Sequence, residues 1–226
     1  MSMKKVFFLV NTLKEFNFQQ HLSKYLSDVN IFVGESLPAN TDYDLIILWN
    51  YRKILKNISD RKNVILFHST NLPEGKGWAP IYYTLIKDLQ YYTISGIFAV
   101  DNVDSGDIII QAKFKIKSNY TAETLREWDD EICIILLKKI LEIFQGKEIK
   151  GKKQKGISSI YPRRKPEDNE INLNVKFIDI INHLRACEKN HPAFFVYNET
   201  KYLVKIEPEI KPTFPADLEI ILYDDI

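Results

Sequence analysis

The sequence predicts an α/β fold, a doubly wound, mostly parallel twisted sheet followed by a small α+β or β-rich module. Three observations carry this. Short runs apolar on both faces alternate with amphipathic stretches through the first half. One long amphipathic helix follows them. Then the composition shifts: residues 147–165 hold eight Lys/Arg and one acid, and residues from 166 onward hold twelve acids and six bases.

Val6–Val10 is the first buried strand, entered through Lys4 and Lys5. Its five apolar residues fall short of the roughly 7–15 of a signal core. Phe18–Leu26 places Phe18, Leu22, Tyr25 and Leu26 on one helical face. Asn30–Val33, Leu45–Trp49 and Val64–Phe67 are the next strands. Helices are expected over Tyr51–Ile58 and Pro80–Lys87, and strands over Ser95–Val100 and Ile108–Lys115. Thr121 caps the long helix, acids crowd its first half, Lys138 and Lys139 sit near its end, and Gly146 stops it. Leu125, Trp128, Ile132, Ile135, Leu136, Lys139 and Ile143 trace its stripe. These elements make residues 1–150 an N-terminal domain and residues 151–226 a small C-terminal one, with a basic linker over 147–165. The tail carries a helix, Val175–Cys187, and strands Ala193–Tyr197, Tyr202–Ile206 and Leu218–Tyr223. Two of those strands offer either a dimerising hairpin, and so a homodimer, or the closure of a small barrel.

With 226 residues, the chain is long enough to bury a core without disulfides or a structural metal. A net charge of +1 argues against a chain built to grip nucleic acid. Cys133 and Cys187 offer neither a disulfide framework nor metal spacing, so no metal is expected and a reduced, cytoplasmic setting is. The longest apolar run, Ile132–Leu137, is far shorter than a membrane span. No G-x-G-x-x-G follows the first strand, which argues against a dinucleotide-dependent oxidoreductase.

Two segments carry chemistry. Phe67–Pro80 (FHSTNLPEGKGWAP) sets His68 just past a buried strand, where open α/β sheets bind ligands. Histidine suits proton transfer near neutral pH. Val100–Ile110 (VDNVDSGDIII) gathers Asp101, Asn102, Asp104 and Asp107 in one loop. Taken singly, each also reads as an ordinary strand end and an ordinary turn.

Together, and in this order, they resemble the folate-dependent formyltransferases, which include enzymes acting on glycinamide ribonucleotide, methionyl-tRNA and nucleotide-linked amino sugars. The residues that carry the resemblance are His68, Thr70, Leu72-Pro73, Gly75, Gly77 and Ala79-Pro80, then Val103-Asp104-Ser105-Gly106. It covers about residues 1–150 and implies a Rossmann-like formyltransferase core. A further block, Tyr161 to Asp168 with Ile171, Ile181 and Arg185-Ala186, looks like the start of the C-terminal module in the sugar-modifying members.

The resemblance implies a transferase that moves a formyl group from 10-formyltetrahydrofolate to an amine. His68 would stabilise the oxyanion or relay protons, and Asp104 would orient the imidazole and help deprotonate the amine. Tyr51, Ile54, Leu55, Val100, Asp101 and Asn102 would line the folate. Lys76, Trp78, Tyr161, Arg163 and Arg164 would meet the acceptor, a small nucleotide-linked amino sugar serving surface-polysaccharide synthesis. A UDP-linked 4-amino-4,6-dideoxy sugar of the pseudaminic-acid type is the first expectation and a dTDP-linked sugar the second. The same linker residues also read as a solvated tether. Aminoacyl-tRNA as acceptor, or a non-catalytic module binding folate or nucleotide sugar, are the alternatives.

One position departs from the family. An asparagine two residues before the histidine is replaced here by Leu66, which cannot donate to an oxyanion. Asn50 is the first candidate to fill that role and Asn71 the second. Otherwise the site runs with one donor fewer, at about 2.7–4 kcal/mol of barrier, or the chain only binds.

Overall fold

The first apolar run forms β1 (Lys4–Leu9), and its alternation decides how the sheet is covered. Val6 and Phe8 enter one core, whereas Phe7 and Leu9 enter a second core on the opposite face. A strand apolar on both sides is stable only between two layers. The computed structural model describes residues 3–15, 19–39, 42–61, 63–144 and 148–223. Phe18, Gly146 and Lys147 lie outside them.

Helix α1 (Gln19–Tyr25) leads to β2 (Val29–Gly34). Then come β3 (Leu45–Leu48), β4 (Val64–His68), β5 (Lys76–Gly77) and α2 (Pro80–Ile86). β6 (Tyr91–Phe98), β7 (Ile108–Lys115) and α3 (Ala122–Ile143) follow. The rest holds β8 (Ile160–Tyr161), α4 (Ile181–Ala186), β9 (Ala193–Tyr197), β10 (Thr200–Val204) and β11 (Glu219–Leu222).

Among the described residues the main sheet has seven strands in the order β11-β7-β6-β4-β3-β1-β2. β1 to β4 pair in parallel, β6 is antiparallel to β4 and β7, and β11 is antiparallel to β7. Five strands therefore point one way, and only β6 and β11 oppose them. The chain leaves β1 toward β2 on one side and toward β3 and β4 on the other. That reversal opens the crevice at the carboxyl ends where such sheets take ligands.

α3 starts where expected. The Thr121 hydroxyl accepts from the Thr124 amide, 3.4 Å away, capping the helix. Its buried face is broader than the sequence stripe: Asp129, Cys133, Ile134, Leu137, Ile140 and Leu141 are buried, while Lys139 is exposed.

Other elements differ from expectation for local reasons. Tyr51–Ile58 is not helical. Asn50 and Asn57 bracket it with φ of 47° and 56°, and a helix cannot pass through left-handed residues. Only a 3₁₀ turn, Ile58–Asp60, forms there, held by Asp101, whose carboxylate accepts from the Ile58 amide and the Ser59 hydroxyl. Val175–Cys187 shortens to a 3₁₀ turn, Phe177–Ile180, and α4. β6 starts at Tyr91, four residues earlier than expected. Asn198 and Glu199 both take positive φ, closing a two-residue hairpin so that β10 begins at Thr200.

The tail packs onto the same core. Leu184, Ala186, Cys187 and Ala193 join the cluster that contains Leu125 and Ile132, and Leu218–Tyr223 supplies β11 of the main sheet rather than a tail strand. Arg185 is buried and fastens the two halves. Its guanidinium donates to the carbonyls of Tyr120 (2.8 Å) and Lys117 (3.0 Å) and to the Asn182 side chain (2.8 Å).

Candidate active site

His68 is the last residue of β4 and shares a strand face with Leu66. Its Nε2 lies 2.8 Å from the Gly75 carbonyl oxygen, and its Nδ1 lies 3.5 Å from Asp104 Oδ2. A carbonyl only accepts, so Nε2 carries a proton. Asp104 sits on a loop at φ 48°, and its Oδ2 also accepts from the Gly77 amide at 2.9 Å.

The turn that faces His68 is built from glycine. Gly75 and Gly77 have φ of 71° and 95°, and a Cβ on either would lie within 3 Å of Tyr161 atoms. Only glycine takes this conformation without strain at that approach.

The linker closes the turn from outside. The Ser159 hydroxyl accepts from the Gly75 amide (2.9 Å), its carbonyl accepts from Lys76, and β8 pairs with β5. The Gln154 amide donates to the carbonyls of Asp104 (2.8 Å) and Gly106 (2.9 Å). Residues 151–161 are thus tied to the site rather than forming a loose tether.

Beneath His68 lies a buried polar network. Asp129 Oδ1 accepts from the Ser69 hydroxyl at 2.7 Å and from the Tyr92 phenol at 2.6 Å. Burial pushes both the Asp129 carboxyl and the Tyr92 phenol up from their ordinary values. Neighbouring Asp130 is pushed up to about 7, first by burial and then by the charge of Asp129. On the other side the Ser95 hydroxyl donates to the Thr70 carbonyl (2.7 Å), the Gln111 amide donates to Ser95 (2.8 Å), and the Tyr223 phenol donates to Gln111 (2.8 Å). The turn after His68 is held from both faces.

The other expected site residues divide. Asn50 is exposed, its side chain bonded to Asp130 and its carbonyl to the Asn11 amide. Asn71 accepts from Gln111 at 3.4 Å. Asp101 ties its loop to the end of the Tyr51–Ile58 segment through Ile58 and Ser59, with Val100 half-buried beside it. Asn102 contributes its carbonyl to the Ser105 amide. Tyr51 and Leu55 pack on the second core, whereas Ile54 is 76% exposed.

Lys76 reaches across to Ser105 (2.8 Å). Trp78 is partly exposed under the guanidinium of exposed Arg163, 4.8 Å from the ring. Tyr161 is buried and stacked on Tyr83, and Arg164 lies on the Tyr82 ring and bonds Asn169. Their side chains serve packing, which leaves Arg163 as the solvent-facing member of that trio.

Sequence reading missed Ser69, Ser95, Gln111, Asp129, Gln154 and Ser159. Asp129 left a trace, since an acid stands in a stripe otherwise apolar at Leu125, Ile132 and Leu136. Gln111 interrupts an apolar strand in the same way.

Among the described residues no group of three or more His, Cys, Asp or Glu could hold a metal, and no helix is long and apolar enough to cross a membrane.

The fold is a Rossmann-like α/β sheet that sets a histidine facing a carboxylate at the carboxyl end of a central strand. Residues 13–131, more than half of the chain, match the family model described as formyl transferase. The chain belongs to the formyl transferase family.

It is 31% identical over 202 residues to a methionyl-tRNA formyltransferase from Fusobacterium nucleatum, covering 86% of this chain and 64% of that protein. A second methionyl-tRNA formyltransferase, from Thermodesulfovibrio yellowstonii, is 26% identical over 78% of this chain and 58% of its own length. The chain thus spans less than two thirds of the curated relatives it matches. In fold it is similar to HypX from Aquifex aeolicus in complex with tetrahydrofolic acid, with TM-score 0.72 and 16% identity over 94% of this chain and 40% of that one. A 4-N formyltransferase from Francisella tularensis gives TM-score 0.72 and 18% identity over 93% of this chain and all of that one (100%).

Proposed function

We propose that the chain transfers a formyl group from 10-formyltetrahydrofolate to the primary amine of a small nucleotide-linked deoxyamino sugar. The observation that carries the reading is the His68–Asp104 pair at 3.5 Å, with Nε2–H directed at a carbonyl oxygen. In the transfer the amine forms a bond to the formyl carbon, and the bond from that carbon to the folate nitrogen breaks. The amine loses one proton and the folate nitrogen gains one. His68 donates toward the formyl oxygen as charge grows there, and Asp104 balances the charged ring. Tyr51, Leu55 and Val100–Asn102 suit the folate, because Asp101 ties the end of the segment that carries Tyr51 and Leu55 to the loop that carries Asp104.

The sugar acceptor rests on charge. A net charge of +1 and an acidic tail supply little for a polyanion, whereas Trp78 under Arg163 suits one base and its phosphates. UDP-linked 4-amino-4,6-dideoxy sugars are tested first and dTDP-linked sugars next. Methionyl-tRNA is the second reading, favoured by the names of the sequence relatives.

The test is incubation with 10-formyltetrahydrofolate and each acceptor, with mass detection of a 28 Da gain. A formylated sugar supports the proposal. Formylation of methionyl-tRNA alone replaces it with the second reading. No product from any amine refutes both.

A further inference from the structure

Asp104 faces His68 from a loop whose two ends are fastened independently of it. At one end the Asp101 carboxylate accepts from the Ile58 amide and the Ser59 hydroxyl, and the Asp101 amide donates back to the Ser59 hydroxyl. At the other end the Asp107 carbonyl accepts from the Phe98 amide at 3.1 Å. Gly106 lies so close to Phe98 that a Cβ there would stand 1.8 Å from the Phe98 carbonyl oxygen. Between these anchors Asp104 takes a φ of 48°, a left-handed conformation that a residue with a side chain keeps only where its surroundings hold it. Its carboxylate is already in use: Oδ2 accepts from the Gly77 amide at 2.9 Å and lies 3.5 Å from His68 Nδ1.

The group that holds the Asp104 backbone comes from beyond α3. Gln154 Nε2 donates to two carbonyls at once, that of Asp104 at 2.8 Å and that of Gly106 at 2.9 Å. Those two acceptors fix which end of the amide faces the loop, because its oxygen cannot donate to them. The other end is left over: Gln154 Oε1 is buried and has no hydrogen-bond partner. A buried acceptor without a partner costs free energy, and the two donor bonds hold the amide this way despite it. Gln154 is itself anchored by its neighbours. Lys152 and Ile108 exchange both backbone bonds at 2.8 Å, and β8 pairs with β5.

From this geometry we infer that Gln154 is a positioning residue for formyl transfer: its two N–H bonds hold the Asp104 backbone in the left-handed turn that aims the carboxylate at His68. The inference rests on the formyl-transfer reading. Gln154 acts only through Asp104, and it makes a site formed by residues ahead of α3 depend on a segment that follows α3.

The test is a double-mutant cycle between Asp104→Asn and Gln154→Met, which keeps the length of the side chain and removes both donors. One readout is single-turnover transfer from 10-formyltetrahydrofolate to the acceptor that wild type formylates. The other is the ¹H–¹⁵N spectrum of the His68 imidazole at one pH without substrate, assigned by its loss in His68→Gln. Gln154→Met should lower the rate about 10–10²-fold, the loss expected when a reacting group is displaced by about 1 Å. Folate-analogue affinity should stay within about twofold, because Asp101 remains tied to Ile58 and Ser59. In the Asp104→Asn background the same change should move the rate by less than about twofold. The His68 Nδ1 signal should move in Gln154→Met toward its position in Asp104→Asn, and the double variant should match Asp104→Asn. Gln154→Ala, with the same expected losses, serves where methionine disturbs the loop.

Equal losses of rate in both backgrounds would mean that Gln154 supports the fold rather than Asp104, and the assignment falls. It falls as well if Gln154→Met leaves the rate and the ring signal unchanged, while the formyl-transfer reading stands. If wild type formylates no amine, that reading falls, and the ring signals alone decide whether Gln154 aims Asp104 at His68.

Discussion

Asp130→Asn tests the electrostatics of the site through stability alone. Asp130 lies half-buried on α3, where the charges of Asp129 and Arg126 act on it and the Asn50 side chain bonds to it. Burial and the Asp129 charge raise its carboxyl from an ordinary 3.8 to about 7. Between those values the folded chain holds a proton that the unfolded chain has released. Stability contributed by this group is therefore full below pH 4, falls as pH rises toward 7, and is lost above it. At about 1.4 kcal/mol per pH unit the full loss is ~4 kcal/mol. The carboxyl keeps some solvent contact, and screening reduces this to ~2 kcal/mol. Asparagine keeps a partner for Asn50 and cannot ionise. Urea unfolding of both proteins at pH 5 and pH 8 should show the variant more stable by ~2 kcal/mol at pH 8 and by much less at pH 5. Taking the difference between the two proteins cancels every other titrating group. An equal difference at both pH values would refute the assignment of a raised carboxyl to Asp130.

Three further perturbations probe the chemistry, the acceptor and the turn. Asp104→Asn keeps an acceptor for the Gly77 amide but removes the charge facing His68 Nδ1, so the formyl-transfer rate should fall about 10²–10⁴-fold in rapid-quench assays, with folate-analogue affinity little changed. Arg163→Ala should raise KM for a nucleotide-linked acceptor about tenfold, with a smaller effect at high salt and none on folate-analogue binding, read from initial rates at two ionic strengths. Gly77→Ala forces a Cβ into the left-handed region at φ 95° and to 2.8 Å from the Tyr161 carbonyl oxygen, so it should cost about 2 kcal/mol in urea unfolding.

How legible the molecule is from sequence depends on whether a feature is local. β1, β3 and β4 are readable because a strand buried on both faces must be apolar throughout, and LIIL and VILF have no other stable use. His68 and Asp104 are readable by motif order. The false helix at Tyr51–Ile58 arises because nothing in that stretch announces that Asn50 and Asn57 take positive φ. The turn that follows them is fastened by Asp101, 43 residues away from Ile58. Asp129 and Ser69 are 60 residues apart, and Tyr223 and Gln111 are 112 apart. Their pairing follows from how strands and α3 are brought together, which periodicity does not encode. Tyr161 and Arg164 carry a second use that the sequence does not show, since an aromatic beside arginines that suits a nucleotide equally suits stacking on Tyr83 and Tyr82.

The change of composition near residue 150 marks a change of surface, whereas the hydrogen bonds cross it. Gln154 holds the backbone of the Asp104 loop, Ser159 holds the Gly75 turn, and Lys152 pairs with Ile108 at the start of β7. Each of these partners belongs to the segment that positions His68 or faces it. Among the described residues the linker's lysine side chains point to solvent, while the Gln154 side chain, the Ser159 hydroxyl and the Lys152 backbone turn inward. A strand needs only its amides and carbonyls to pair, so the intervening side chains are free to be charged. Arg185 carries a buried charge that two main-chain carbonyls and the Asn182 amide oxygen accept from, with the charge of Asp88 acting on it. The linker's lysines therefore face water, and the uncharged Gln154 and Ser159 between them reach the backbone of the Asp104 loop and of the Gly75 turn.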